Sequence, residues 1–394
     1  MGAAVDAEAL SARALGLLDT LVAFDTTSRN SNLELIAFVE GELDRQGVAS
    51  HRVQNADGSK SNLYATLGPM AEGGVVLSGH TDVVPVDGQA WSSPAFTLTE
   101  RGGKLYGRGT CDMKGFLALA LAAAPDLLSA PLHRPVHLAF SYDEEVGCIG
   151  APDMIREIVR ELPRPALVVV GEPTNMQAAS AHKGITTYRV TVNGKEAHSS
   201  QTHLGASAIM AAIPLLSELH ALAARMEKDV DGGASLFVPA HSTLTVGMIH
   251  GGTAGNILAR ECSFLFDLRT APGIDPLKVL APFLESCQAT GAALKARYPQ
   301  AGVAVVRRSL TPALAPEQGG EAERFARHLA GDNGPERAVP FATEAGQFQE
   351  AGFSTVICGP GSIDQAHQAD EFLEVAQLQR GAQFMGRLVE SLRA

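Results

Sequence analysis

Four short stretches in the first half of the chain place histidine and carboxylates at the edges of strand-like runs. VVLSGHTD puts His80 and Asp82 just after one run, and CDMKG puts Asp112 at the start of a helical pattern. LAFSYDEE puts Asp143, Glu144 and Glu145 after the next run, and LVVVGE ends another on Glu172. The intervals 80 to 112, 112 to 144 and 145 to 172 are 32, 32 and 27 residues, close to one strand-helix-strand unit. Because the carboxyl ends of parallel strands share one edge, where ligands bind, residues repeated at strand ends converge in space.

A gathering of carboxylates repels itself and is costly to desolvate, so it needs a countercharge. Lys114 is the only lysine or arginine inside these four stretches, and the natural countercharge is a divalent metal. Histidine and carboxylate without thiolates suit Zn²⁺, Mn²⁺ or Co²⁺, and a bridging carboxylate serves two ions ~3.5–4 Å apart; Asp112 is the candidate bridge. Glu144 and Glu145 are adjacent, so in an extended segment they point to opposite sides. One can bind metal while the other stays free as a general base. Asp82 can accept a hydrogen bond from the His80 imidazole and fix its tautomer. Taken singly, each residue has an ordinary reading: Asp112 could cap the following helix, and His51, His133, His137, His220 and His328 read as surface or structural groups. A two-metal phosphoesterase is disfavoured because no Gly-rich phosphate cradle or Lys/Arg cluster accompanies the acids. A metal-holding module without catalysis would need ligands but no free base, so the Glu-Glu pair favours an enzyme.

These residues require a frame. Helical patterns at 7–24 and 32–46 precede strand-like runs at 63–67, 74–78, 136–141 and 166–171, with an Ala/Leu-rich helix at 114–124 between the second and third. The alternation predicts an α/β domain built on a mostly parallel sheet covered on both faces. From 183 to about 308 the order becomes strand 185–192, helix 206–226, strands 242–249 and 262–268, helix 276–296 and strand 303–306. That βαββαβ order predicts an inserted ferredoxin-like domain. Helices at 320–329 and 343–350, a strand at 354–357 and a helix at 376–392 then resume the first pattern. The expected division is 1–182 and 311–394 for the first domain, in two pieces, and 183–310 for the insertion.

The formal charge is −12, from 31 Lys+Arg against 43 Asp+Glu, so the electrostatic footprint of a nucleic-acid binder is missing. Small molecules are the expected partners. Cys111, Cys148, Cys262, Cys287 and Cys358 are odd in number and form no CxxC pair, which argues against a disulfide framework or a thiolate zinc site; Cys111 and Cys148 read as small packing groups. The N-terminal segment lacks a basic region followed by an apolar core, and Asp6 stands where N-myristoylation after Met1-Gly2 prefers Ser or Thr. No apolar run approaches the ~18 residues of a membrane span, the richest being 116–124. A cytoplasmic protein without membrane or nucleic-acid partners is expected.

SGHTDVVPVDGQAW, LYGRGTCDMKGFLA, SYDEEVGCIGA, VVGEPTNMQAASAHKG and GPGSIDQAHQADEF together resemble the M20 family of dinuclear zinc amidohydrolases and exopeptidases, most closely its acetylornithine deacetylase branch. The resemblance runs over essentially the whole chain. It implies that His80, Asp112 and Glu172 hold one zinc and that Asp112, Glu145 and His367 hold the other, with Co²⁺ or Mn²⁺ as substitutes. It also implies Glu144 as general base and Asp82 as the partner of His80. By the same resemblance the insertion is a lid and dimerisation domain, and His198 in NGKEAHSS reaches the partner subunit's site of a homodimer to stabilise the oxyanion. Asn256 and Arg269 match positions that hold the substrate's carboxylate, Arg269 by bidentate pairing. The implied reaction is amide hydrolysis of an N-acyl amino acid, foremost N-acetyl-L-ornithine to L-ornithine and acetate in arginine biosynthesis. Removal of succinyl from a diaminopimelate intermediate, and other N-acyl amino acid or dipeptide substrates, are the alternatives.

Overall fold

The computed structural model describes residues 5–228 and 236–394; Met1 and Gly2, on which the myristoylation reading turns, lie outside them. The chain divides into two compact units. One runs up to Ala181 and takes in Leu314–Val339 and Thr343–Ala394, and the other is His182–Ala313 with Pro340–Ala342.

The first unit is a mixed α/β fold on a six-stranded sheet in the order Ser50–Gln54, Ser61–Leu67, Val136–Ser141, Val75–His80, Leu167–Pro173, Ser354–Gly359. The last four of these are mutually parallel, and the first two form an antiparallel edge. Val136–Ser141, Val75–His80 and Leu167–Pro173 are buried along their whole length, as expected of strands with both faces covered. Helices Ala7–Ala23, Gly115–Ala122 and Val375–Leu392 pack together on one side; Ala151–Glu161 and Ala345–Glu350 pack with each other. Register aligns His80 with Ser141, and Glu172 lies one residue before Pro173, which pairs with Gly359. The segments bearing the candidate acids therefore leave the sheet from one edge.

The second unit is a four-stranded antiparallel sheet in the order Thr243–Gly251, Glu261–Thr270, Gly184–Asn193, Gly302–Thr311. Alternation puts Tyr188, Val190, Val192, Cys262, Phe264, Phe266 and Leu268 into its core. Helix Ala208–Met226 lays Ala208, Ala212, Leu215, Leu219, Leu222 and Met226 against that face, a three-four spacing that keeps one stripe inward. By length and composition this helix is apolar enough to cross a membrane, with 28% of its window buried. The expectation that no run approaches such a length is therefore corrected: Glu218 and Arg225 interrupt the run in sequence, and its hydrophobicity is shared between the buried stripe and exposed Ile209, Met210 and Ile213.

Gly171 shows how closely helix and sheet approach beneath the candidate site. A Cβ there would stand 2.0 Å from Cγ of Phe116, a ring that is itself buried. Gly171→Ala should destabilise the fold by about 1–3 kcal/mol through overpacking, seen as a lower urea midpoint with an unchanged slope. An unchanged midpoint would contradict this close packing of Phe116 on the strand.

Candidate metal centre

His80 is the last residue of its strand and is 1% exposed. Its Nδ1 donates to the Asp82 main-chain oxygen at 2.8 Å, which turns Nε2 toward Oδ1 of Asp112 at 3.0 Å and Oε1 of Glu172 at 3.7 Å. Asp112 sits on an irregular turn before helix Gly115–Ala122, whose start has no side-chain cap. The capping alternative is thus not what Asp112 does: its other oxygen, Oδ2, lies 3.3 Å from Nε2 of His367. His367 in turn lies 3.1 Å from Oε2 of Glu145. Two groups result, His80–Asp112–Glu172 and Asp112–Glu145–His367, in each of which the ligand atoms lie within 4.8 Å of one another. Asp112 belongs to both.

The electrostatics are those of a cluster short of positive charge. Burial first, then the neighbouring carboxylates, pushes Glu172 well above the ordinary range and Glu145 up to about 7. Glu144 is likewise pushed well up, chiefly by burial. Burial would also raise Asp112, but hydrogen bonds from His367 and His80 outweigh it and hold the carboxyl well below its usual value. His367 is raised to about 10 by its bonds to Asp112 and Glu145. Burial opposes the charge on His80, but Asp112 and Glu172 overcome it and raise the ring well above its ordinary value. Among the described residues no lysine or arginine pairs with these four acids. Lys114, the interleaved base, is buried with Nζ on the Phe24 carbonyl oxygen at 2.8 Å and is pulled down to about 7 by burial. Both rings are thus driven toward the positive charge that a pair of cations would supply. Imidazole and carboxylate oxygens in triads sharing one acid fit a pair of divalent ions.

The remaining expected residues divide into those the structure brings to this cluster and those it does not. Glu144, which belongs to neither triad, accepts from the Cys148 thiol at Oε1, 3.2 Å away; Cys148 is thus a donor and not merely a small packing group. Cys111 donates to the Ser362 carbonyl at 3.2 Å and is held as a thiol by burial. The Asp82 carboxylate stands 3.8 Å from the His80 ring nitrogen and is not its acceptor. Instead it receives the main-chain N–H groups of Glu144 and Glu145 at 3.1 and 3.3 Å and the Ser28 hydroxyl at 2.7 Å. Asp82 thereby fixes the turn carrying both glutamates, a role that three filled acceptor sites explain.

Within the second unit, His198 is exposed, bridged to Ile257, with its Nδ1 2.8 Å from the Ser200 hydroxyl. The Ser199 N–H donates to the Asn256 main-chain oxygen at 2.9 Å, so His198 and Asn256 are neighbours. Arg269 pairs with Asp267 at 2.6 Å near the far end of strand Glu261–Thr270, about 30 Å away along a ten-residue strand. Asn256 and Arg269 thus stand at opposite ends of that strand.

Sequence reasoning missed Glu371 and Glu344. Glu371 is buried, and its Oε1 accepts the N–H groups of Cys111 and Asp112 at 3.0 and 3.1 Å. It stands in the same QADE stretch as His367, which is the signal that could have found it. Buried Glu344 accepts from Ser78 and Ser141 at 2.5 and 2.6 Å, tying together the two central strands that end at the cluster; no motif flags it.

The sequence profile described as peptidase family M20/M25/M40 matches residues 76–391, the span that supplies every ligand of both triads. The chain belongs to that family. An acetylornithine deacetylase from Myxococcus xanthus is 37% identical over 378 residues, covering 94% of this chain and 95% of that protein. One from Proteus mirabilis (strain HI4320) is 34% identical over 374 residues, covering 94% and 93%. Among solved structures, an M20 family metallo-carboxypeptidase from Sulfolobus solfataricus superposes with a TM-score of 0.76 at 18% identity, covering 96% of this chain and 98% of that one. The M20 fold is therefore shared across sequences that have diverged widely.

Loading this M20 centre with metal must displace protons. With His367 raised to about 10, its pairing stabilises the metal-free fold fully below the ordinary histidine value of ~6.5 and is lost as pH rises through the raised one. Zn²⁺ added to metal-free protein at neutral pH should release protons, measurable by pH-stat, and His367→Ala should release fewer. Uptake without proton release would contradict a protonated His367 in the metal-free centre.

Proposed function

We propose that the chain hydrolyses the amide bond of an N-acyl amino acid, with N-acetyl-L-ornithine as the foremost substrate, giving L-ornithine and acetate in arginine biosynthesis in the cytoplasm. The observation that carries this reading is Glu144. It is a half-buried carboxylate beside two metal-binding triads yet outside both, as a general base requires and a passive metal store does not. The curated relatives named acetylornithine deacetylase support the choice of substrate.

His80, Asp112 and Glu172 would hold one Zn²⁺ and Asp112, Glu145 and His367 the other, Co²⁺ or Mn²⁺ substituting. Bound there, the pair supplies an acidified water and positive charge beside the scissile carbonyl. Glu144 takes the proton from the attacking water and returns it to the departing amine nitrogen. Its raised affinity for a proton suits both halves of that exchange. Asp82 and Cys148 hold Glu144 in place from its backbone and its carboxylate.

The second unit, with its ferredoxin-like strand order, would act as lid and dimerisation domain. Exposed Met248 and Ile249 on the edge strand Thr243–Gly251, with Ile209, Met210 and Ile213 on the neighbouring helix, support a homodimer interface. The separation of Arg269 from His198 and Asn256 supports it independently. Asn256 and Arg269 would hold the substrate's carboxylate, and His198 would reach the partner subunit's site and donate to the oxyanion.

Glu144→Gln should retain both metals by elemental analysis while kcat falls by about 10²–10⁴-fold. Unchanged turnover would remove the base from the mechanism. In a deacylation panel N-acetylornithine should give the highest kcat/KM; faster turnover of N-succinyl-diaminopimelate, N-acetylmethionine or a dipeptide would reassign the substrate. No turnover of any would leave a metal-binding module.

A further inference from the structure

Arg108 and Glu371 form an ion pair in which each side chain is 1% exposed, Nη1 to Oε2 at 2.6 Å. A buried pair of this kind is weak evidence for stability, because its attraction is set against the desolvation of two charges. Its consequence here lies in what else the two groups hold. The second oxygen of Glu371 carries the main-chain N–H of Asp112. Nη2 of Arg108 donates to Oε1 of Gln89 at 2.6 Å, and the Gln89 amide donates onward to the His367 main-chain oxygen at 2.9 Å. Trp91 closes the group, with its ring centre 5.1 Å from the guanidinium and its indole N–H on Gln89 at 3.1 Å. Three side chains thus link the backbone of Asp112 to the backbone of His367.

His367 has particular need of such a link. It follows a short 3-10 turn, has a side chain that is 51% exposed, and adopts φ +63°. Asp370 adopts φ +56° in the same segment and accepts the Ser92 N–H at 2.8 Å. Non-glycine residues in this region of backbone space persist where their surroundings impose it. The segment is stitched to the 85–92 loop at both of these residues. His80, by contrast, is set by its strand and by the Asp82 carbonyl.

We propose that Gln89, Arg108 and Glu371 are positioning residues that set the distance between Asp112 and His367 and so govern the affinity of the second cation site. The inference rests on the two-cation reading above. Gln89 is the member whose loss separates the two sites, since the only ligand backbone it holds is that of His367 and it reaches Asp112 only through Arg108 and Glu371, whereas Glu371 holds Asp112, which both sites share.

The test is calorimetric titration of the metal-free full-length protein with Zn²⁺, comparing wild type with Gln89→Met and Gln89→Glu. Gln89 is only half-buried, so both variants should fold, as circular dichroism will verify. Gln89→Glu keeps an acceptor for Arg108 but removes the donor to His367. Both variants should bind the first ion as wild type does and the second about 10–100-fold more weakly. At limiting Zn²⁺ kcat should fall with KM unchanged, and excess Zn²⁺ should restore it, which a merely disrupted fold would not allow. Unchanged affinity for the second ion in both variants overturns the positioning role. Wild-type protein binding fewer than two ions overturns the two-cation reading itself, a distinct signature under which the inference also falls.

Discussion

Four acids face one another at one edge of the first unit's sheet, with no lysine or arginine of the described residues paired to them, and the rest of the structure is arranged around that repulsion. Three connections deliver them: Asp112 comes from the turn before a helix, Glu144 and Glu145 from the segment after Val136–Ser141, and Glu172 from the end of its own strand. Rigid delivery matters because desolvated like charges would otherwise drift apart or take up protons. Three strands buried on both faces, tied beneath the cluster by Glu344 through Ser78 and Ser141, provide that rigidity. The pull of Asp112 and Glu145 that raises the His367 ring to about 10 shows how strongly the arrangement favours positive charge.

The carboxylates that bind nothing themselves have the next claim on the architecture. Asp82 spends its oxygens on the main chain of Glu144 and Glu145, and Glu371 spends one of its own on the main chain of Cys111 and Asp112. Both act on backbone direction and leave the reactive side chains free to point inward. A charged acceptor is suited to this work because a bond from N–H to an ionised oxygen is roughly twice as strong as a neutral one. The cost is that these acids too must be buried, and Glu371 is compensated by Arg108 while Asp82 relies on three donors.

Much of this is legible in the amino-acid sequence. Repetition of acid-bearing blocks at the interval of a strand-helix-strand unit points to a mostly parallel sheet and to one shared edge, and the motif blocks point to the M20 family. The strands buried on both faces lack alternation, and it is their short length and aliphatic content that mark them as strands and not as buried helices. What escapes is whatever depends on three-dimensional proximity alone. Glu344 contacts serines 266 and 203 residues away, so no local pattern can mark it. The target of Asp82 is misread because nearness in sequence favours His80, whereas the fold offers better-aligned donors from the Glu144 turn. The apolar reach of helix Ala208–Met226 is undervalued because its charged residues are spaced along the helix.

The order in which the ligands occur along the polypeptide has a consequence for biosynthesis. His80, Asp112 and Glu172 are all translated before the second unit begins, and the strands that carry or adjoin them are neighbours in the sheet. His367 follows only after that entire unit and the strand Ser354–Gly359 have been made. A growing chain therefore holds all of one triad, and Asp112 and Glu145 of the other, long before His367 completes the second. Because domains fold as units and the first unit is finished only by Leu314–Val339 and Thr343–Ala394, His367 arrives with the same segments that close the sheet on which the earlier ligands stand.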